Sequence, residues 1–88
     1  MLKAAFTNQF ERDLKRVHKR GKNKESLKNV MDLLISQKPL PKKQRDHKLI
    51  GNYKNRRECH LDPDWLLIYK IEGNEIFFER TGSHSDLF

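Results

Sequence analysis

The chain has 88 residues and a formal net charge of +7, with 35% charged and 35% hydrophobic residues. This length predicts one domain over residues 1–88 and excludes a deep cavity for a large cofactor. The longest apolar runs are far too short to cross a membrane, and the polar N-terminal stretch is not that of a signal peptide. The single cysteine, Cys59, excludes an internal disulfide. Together these features predict a cytoplasmic protein.

The positive charge is concentrated in the first two thirds of the chain. Residues 1–57 contain 17 Lys and Arg against 5 Asp and Glu, whereas residues 58–88 contain 2 against 7. A strongly basic section attracts polyanions, of which nucleic acid is the usual one. The alternative is a solvated surface that only keeps the protein soluble, and charge alone does not separate the two.

The N-terminal segment predicts a strand and then an amphipathic helix. The strand is the apolar run 2–6. The helix begins at an N-cap offered by Thr7 or Asn8, with Glu11 three residues after Asn8 in a capping-box arrangement. Gly21 is a natural stop, because glycine accepts the left-handed conformation that ends helices. The apolar positions share one helical face and are Phe10, Leu14 and Val17.

A second helix is predicted from an N-cap at Asn23 to a stop before Pro39 and Pro41. Because only a short link separates the two helices, we expect a hairpin whose apolar stripes face the core. The basic stretch over residues 37–52 is predicted to be a long connection, either a functional loop or a mobile surface crossing. The stripe of the second helix consists of Leu27, Val30, Met31, Leu34 and Ile35.

The rest of the chain has the pattern of an antiparallel meander. Three strands are predicted, over residues 53–60, 65–71 and 75–81. Residues 83–88 follow Gly82 as a short tail. The element order is then β-α-α-β-β-β, which predicts an α+β domain with a two-helix hairpin packed on a mainly antiparallel sheet.

This topology brings distant ionisable residues to one end of the sheet. The second strand of the meander runs away from the turn over residues 61–64, and the third strand returns to that end. The residues expected to converge there are His60, Asp64, Trp65, Arg80 and His84. His47, in the basic connection, is close enough in the chain to join them, but the topology does not require it.

Histidines, a carboxylate and arginines suit the cleavage of RNA without a metal. The reaction needs a base for the 2′-hydroxyl proton, an acid for the leaving 5′-oxygen and positive charge beside the phosphate. Histidine titrates at about pH 6.5, so that one ring is neutral while another is protonated. Arginine binds phosphate oxygens bidentately. Trp65 or Phe88 offers a ring on which an unpaired base stacks.

The same residues also have ordinary structural explanations. His18 fits the exposed side of the first helix, Asp64 fits a residue that stabilises a turn, and Trp65 fits the core. A zinc site is not predicted, because the spacing of the histidines and Cys59 matches no zinc-binding motif.

Three segments together resemble the YafQ branch of the RelE/ParE toxin superfamily, and the resemblance extends over nearly the whole chain. The segments are DHKLIG over 46–51, RECHLDPDWLLIY over 57–69 and FERTGSHSDLF over 78–88. The resemblance implies a RelE-like fold and a bacterial type II toxin that cuts mRNA in the ribosomal A site without a metal or cofactor. It also implies a cognate antitoxin as a partner, in addition to the ribosome and mRNA.

The resemblance implies roles for individual residues. The catalytic candidates are His47, His60, Asp64 and His84. The residues predicted to bind phosphate or RNA are Arg80, Arg57, Trp65, Phe88 and Lys48. Glu58 is a second-tier candidate, since the protein that gives the branch its name has aspartate there. Which histidine is the base and which is the acid stays open.

Two other functions remain as alternatives. A ParE-like relative shares the fold but inhibits DNA gyrase, and an RNA-binding module has no turnover. The histidine-rich set favours the nuclease, because neither an inhibitor nor a binding module needs paired acid–base groups.

Overall fold

The computed structural model describes residues 1–49 and 55–88 of the chain. The strands are β1 (Lys3–Phe6), β2 (His47–Lys48), β3 (Arg57–Asp62), β4 (Trp65–Glu72) and β5 (Glu75–Gly82). The helices are α1 (Asn8–Lys19), α2 (Lys24–Ile35) and α3 (His84–Leu87), with a 3₁₀ turn over Lys42–Gln44. Within the described ranges, every helix is too short or too polar to span a bilayer.

The five strands form one sheet in the order β1-β5-β4-β3-β2. Strands β3, β4 and β5 form the predicted antiparallel meander, and β1 lies at the edge, parallel to β5. At the other edge β2 pairs antiparallel with β3, so that His47 lies opposite Glu58. With the helices α1 and α2 packed on this sheet, the predicted α+β fold is confirmed.

The ends of α1 follow from local hydrogen bonds. The Thr7 hydroxyl accepts the backbone N–H of Phe10 at 3.0 Å, so Thr7 is the N-cap and the capping box expected at Asn8 does not form. At the other end Gly21 adopts φ 77° and its N–H donates to the carbonyl of His18 at 3.1 Å. The predicted glycine stop is therefore confirmed, and it turns the chain into α2.

Each face of the sheet has its own core. The larger core lies between the hairpin and the face that carries Trp65, Leu67 and Tyr69. The smaller core, on the other face, consists of Leu66, Ile68 and Leu87, with Leu49 packed against them. Burial of these apolar surfaces stabilises the fold by roughly 25 cal/mol per Å². The helix residues of the larger core are Phe10, Val17, Leu27, Val30 and Leu34.

Two segments are more regular than the sequence predicts. The connection over residues 37–52 contains the 3₁₀ turn and β2, because β3 offers β2 a partner for its backbone groups. The tail over residues 83–88 contains α3, because Ser83 caps it. Strand β3 starts at Arg57 and continues to Asp62, and the predicted strand residues 53–54 lie outside the described ranges.

Candidate active site

Three histidines from three elements lie in a row on the face of the smaller core. His60 on β3 is in the middle, with its ring centre 6.2 Å from that of His47 on β2 and 5.9 Å from that of His84 at the start of α3. The side chain of His60 is mostly buried, whereas those of His47 and His84 are about half exposed. The structure therefore brings His60 and His84 together, as the topology predicts, and adds His47.

A buried carboxylate lies between two of these rings. Glu58 Oε1 is 3.0 Å from His60 Nε2 and 3.8 Å from His47 Nε2, and the Glu58 side chain is only 8% exposed. A carboxylate taken out of water is stabilised by positive charge close to it, and His60, when protonated, supplies that charge at 3.0 Å. Glu58, a second-tier candidate from the sequence, thus lies at the centre of the site.

Asp64 holds His84 through two contacts. Its Oδ1 accepts the backbone N–H of His84 at 2.9 Å and lies 2.7 Å from His84 Nδ1. These contacts hold the pKa of Asp64 below its ordinary value, and the backbone N–H of His84 contributes the most. The ionised carboxylate fixes the ring through Nδ1, which leaves Nε2 of His84 free for proton exchange.

The protonation of His47 follows from a backbone contact. Its Nδ1 lies 2.7 Å from the carbonyl oxygen of Arg45. Because a carbonyl oxygen only accepts, Nδ1 is the protonated nitrogen of this ring. The other nitrogen, Nε2, lies 3.8 Å from the Glu58 carboxylate.

A network of ion pairs positions α3 and therefore His84. Ser83 and Asp86 form a capping box, in which the Asp86 carboxylate accepts the Ser83 N–H at 2.9 Å. Arg20, the C-cap residue of α1, donates to both oxygens of Asp86, and Arg16 Nε lies 3.7 Å from Asp86 Oδ2. The Arg20 contact, followed by the Ser83 N–H, holds the pKa of Asp86 far below its ordinary value. These two arginines thus fix the C-terminal segment that carries His84.

Arg80 is tied to a fully buried carboxylate. Arg80 Nε lies 2.8 Å from Asp13 Oδ2, which also accepts the backbone N–H of Thr81 at 3.1 Å. Arg16 contributes a further contact to Asp13 at 2.8 Å. Arg80 keeps 23% of its side chain exposed. It is a fixed positive charge at the end of β5, and phosphate binding by Arg80 stays a prediction.

The structure corrects the prediction for Trp65. Its ring is 3% exposed in the larger core, and its Nε1 donates to the Thr81 hydroxyl at 2.9 Å. A ring buried and hydrogen-bonded in this way is not available to stack on a base, because its apolar surface is more stable inside the core. Phe88, in contrast, is 61% exposed at the end of α3.

Two further predicted RNA-binding residues lie at the β2–β3 edge. Arg57 donates to Asp46 at 3.2 Å, and Lys48 lies opposite Arg57 in the strand register. Both line one cavity of about 600 Å³. RNA binding by Arg57 and Lys48 stays a prediction.

The cluster also has the composition of a metal site. One ligand atom each from His47, Glu58 and His60 lies within 4.8 Å of the other two. Imidazole and carboxylate ligands suit transition metals such as Zn²⁺ and Cu²⁺. The spacing in the sequence does not show this set, because it forms only when β2 pairs with β3.

Comparison with known proteins places the chain in a family. Residues 2–88 match the family model described as the bacterial toxin of a type II toxin-antitoxin system, YafQ. The chain belongs to the YafQ toxin family. The resemblance noted in the sequence is therefore confirmed, and as a type II toxin of the YafQ family the chain has a cognate antitoxin as its partner.

Individual relatives of the YafQ family are similar in sequence and structure. The mRNA interferase toxin YafQ of Escherichia coli K12 is 44% identical over 84 residues, which cover 94% of this chain and 91% of that protein. A copper-bound mutant toxin from Helicobacter pylori has a TM-score of 0.95 at 36% identity, over the whole of both chains. The Escherichia coli DinJ-YafQ complex has a TM-score of 0.92 at 42% identity, over 100% of this chain and 99% of that one.

Proposed function

We propose that this YafQ-family toxin is an mRNA endoribonuclease that works by histidine acid–base chemistry in the ribosomal A site. The observation that carries the proposal is the row of three imidazoles, two of them held by carboxylates at 3.0 and 2.7 Å. A relative at 44% identity is named an mRNA interferase. Both facts favour a nuclease over a gyrase inhibitor or a binding module.

The reaction is an intramolecular transesterification, in which the phosphoryl group moves to the neighbouring 2′-oxygen. The 2′-oxygen attacks the adjacent phosphorus, and the bond from phosphorus to the 5′-oxygen of the next nucleotide breaks. One imidazole takes the 2′-hydroxyl proton and another gives a proton to the leaving oxygen. The products are a 2′,3′-cyclic phosphate and a 5′-hydroxyl, and no step needs a metal.

The hydrogen bonds divide the work among the rings. His84 and His47 are each held at Nδ1 and exchange protons at Nε2. His60 is committed to Glu58 through Nε2 and lies between the other two rings. A protonated His60 places positive charge beside the phosphate as negative charge develops on it.

The test is primer extension on mRNA incubated with purified toxin, with and without translating ribosomes. We expect cleavage with ribosomes, and we expect His84→Ala to reduce its rate by about 10²–10⁴-fold, the usual contribution of an acid–base group. His18→Ala is the matched control, because His18 is exposed on α1. Unchanged cleavage by His84→Ala, or equal losses in both variants, contradicts the proposal.

A further inference from the structure

His47 lies on a strand that is too short to hold it firmly. Strand β2 has only two residues and lies at the edge of the sheet, where it pairs with Arg57 and Glu58 of β3. The side chain of His47 is 51% exposed, so packing does little to fix the direction of its ring. A short strand at an open edge has little stability of its own. The position of the ring therefore depends on contacts made by the residues around His47.

The residue before His47 is anchored on the other face of the sheet. Asp46 Oδ1 accepts the Tyr69 hydroxyl at 2.6 Å and the N–H at Arg57 Nε at 3.2 Å. Tyr69 is 1% exposed in the larger core, so the packing of its ring fixes the position of its hydroxyl. A buried hydroxyl needs a hydrogen-bond partner, and Asp46 provides it. Asp46, Tyr69 and Arg57 thus form a clamp that ties the start of β2 to a rigid point in the core.

The clamp fixes both ends of the hydrogen bond that orients the His47 ring. His47 Nδ1 donates to the carbonyl oxygen of Arg45 at 2.7 Å. Asp46 lies between these two residues in the chain, so one clamped side chain holds the donor and the acceptor together. Arg45 adopts φ 48°, a left-handed conformation that costs energy in a residue with a side chain. When the clamp is removed, the chain around Asp46 is able to relieve that strain, and the bond from Nδ1 is lost.

We propose that Asp46 and Tyr69 are positioning residues for His47, acting from the face of the sheet opposite the row of histidines. The inference rests on the proposed nuclease function. Both side chains act through the backbone of β2, which keeps the His47 proton on Nδ1 and leaves Nε2 on the side of Glu58. An acid or base works only within hydrogen-bond reach of the proton that it moves. A displacement of about 1 Å is enough to lower the rate by up to about 10²-fold.

The first experiment compares single-turnover cleavage of ribosome-bound mRNA by variants of the clamp. Tyr69→Phe removes only the hydroxyl, and the maximal rate is expected to fall about threefold, because Arg57 still holds Asp46. Asp46→Ala removes both contacts, and the expected fall is about 30-fold. The double variant is expected to match Asp46→Ala, because the two changes remove the same contact. A wild-type rate in Asp46→Ala, or effects that multiply in the double variant, overturns the proposal.

The concentration dependence of the same reaction separates positioning from binding. The toxin concentration that gives the half-maximal rate is expected to stay within about twofold of the wild-type value, since the clamp orients a ring and does not bind the ribosome. An increase in this concentration with an unchanged maximal rate overturns the proposal.

A matched control separates positioning from stability. Asp32→Ala removes an aspartate of α2 that is paired with Lys28 at 3.0 Å, and it is expected to keep the wild-type rate. Thermal unfolding is measured for every variant. Tyr69→Phe is expected to unfold close to the wild-type Tm, because its ring still fills the larger core. A loss of cleavage that disappears when the clamp variants are assayed well below their Tm is a loss of stability, and it overturns the proposal.

The second experiment does not depend on catalysis. The nitrogen chemical shifts of a histidine ring show which nitrogen carries a proton, and they are measured by NMR on the full chain without RNA at about pH 8, where an ordinary imidazole is neutral. His47 Nδ1 is expected to have the shift of a protonated nitrogen in the wild type. In Asp46→Ala it is expected to move toward the shift of an unprotonated one, with the exposed His18 unchanged.

The two experiments fail separately. If the His47 shifts change as expected but the wild type cleaves no mRNA, the clamp stands and the nuclease proposal fails. If the wild type cleaves mRNA and the His47 shifts are the same in the wild type and in Asp46→Ala, the clamp is wrong.

Discussion

At the scale of single residues, the candidate site depends on carboxylates that fix imidazole rings. Glu58 is buried and holds His60, whereas Asp64 is exposed and holds His84. The two pairs differ in their contact with solvent, because the His60–Glu58 pair is shielded from water and the His84–Asp64 pair is not. The exposed pair is therefore the better place to test chemistry without disturbing the fold.

We expect Asp64→Asn to reduce the cleavage rate by about 10²-fold or more with little change in Tm. Asparagine still accepts the His84 N–H but no longer carries the charge that orients the ring and stabilises its protonated form. Cleavage rate and thermal unfolding are measured together. Asp32→Asn, on the exposed side of α2, is the control. A wild-type rate in Asp64→Asn contradicts a role for this carboxylate.

A second prediction concerns metal ions. Cleavage is expected to persist in excess EDTA, because the proposed chemistry uses no metal. Added Cu²⁺ is expected to inhibit, since an ion held by His47, Glu58 and His60 occupies the nitrogens that the reaction needs. Inhibition is measured as a Cu²⁺ titration of the cleavage rate. Loss of activity in EDTA, with recovery on adding a metal, rules out the metal-free mechanism.

Cys59 gives a third prediction. Cys59 lies on β3 and belongs to the larger core, and its burial there raises the pKa of the thiol to about 12. Only the thiolate reacts with alkylating reagents, so folded toxin is expected to resist iodoacetamide at pH 8 and to react fully in denaturant. Mass spectrometry of the two samples measures this. Rapid alkylation of the folded protein contradicts the burial of the Cys59 thiol.

At the scale of elements, α3 is the segment on which the site most depends. It has only four residues, and a helix this short has no stability of its own. Its position comes from the capping pair Ser83 and Asp86 and from the contacts of Asp86 with Arg16 and Arg20. Gly82 is required as well, because a Cβ at this position would lie 2.9 Å from Asp86 Oδ2.

Asp86→Asn tests this anchoring through the pH dependence of stability. The pKa of Asp86 is lowered in the folded protein, so its contribution is present above its unfolded pKa of about 4 and is lost as the pH falls through the folded value. The variant is expected to be less stable at pH 7 by about 1 kcal/mol. In strongly acidic solution the difference is expected to disappear.

Unfolding curves at a series of pH values measure the effect, with the same curves for Asp32→Asn as the control. A stability difference for Asp86→Asn that does not change between pH 7 and strong acid contradicts the anchoring by charge. The same variant is expected to cleave mRNA more slowly, because Asp86 holds the segment that carries His84.

At the scale of the whole molecule, the basic surface is less free than the net charge of +7 indicates. Four arginines pair with an aspartate of the same chain, and these are Arg16, Arg20, Arg57 and Arg80. The hairpin and the 3₁₀ turn also carry exposed lysines, which are Lys15, Lys19, Lys24, Lys28, Lys42 and Lys43. Binding to ribosomal RNA is therefore expected to depend on lysine more than on arginine.

We expect ribosome affinity to fall by more than tenfold as salt rises from about 50 to about 200 mM, because each phosphate contact releases counterions. Equilibrium binding of the His84→Ala toxin to ribosomes measures this slope. Changing Lys15 and Lys24 to Gln is expected to make the slope shallower. An affinity that does not depend on salt contradicts binding through phosphates.

The sequence predicts the meander, the hairpin and the meeting of His60 with His84, because these depend on periodic apolar positions and on chain direction. It does not predict β2, because β2 needs β3 as a distant partner, and it does not predict α3, because a four-residue helix needs the distant Arg20 in addition to its local cap Ser83. One overlooked signal is Asp13, an acidic residue inside the apolar stripe of α1 that turns out to be fully buried.

The two-sided sheet has a practical consequence. The ionisable rings lie on one face, whereas the hairpin and most of the apolar packing lie on the other. Altering the half-exposed rings alone is therefore expected to give folded versions of the toxin that do not cleave mRNA. Such proteins keep the outer surface of the hairpin unchanged, so they are suitable reagents for isolating whatever binds there in cells that the active form would stop growing.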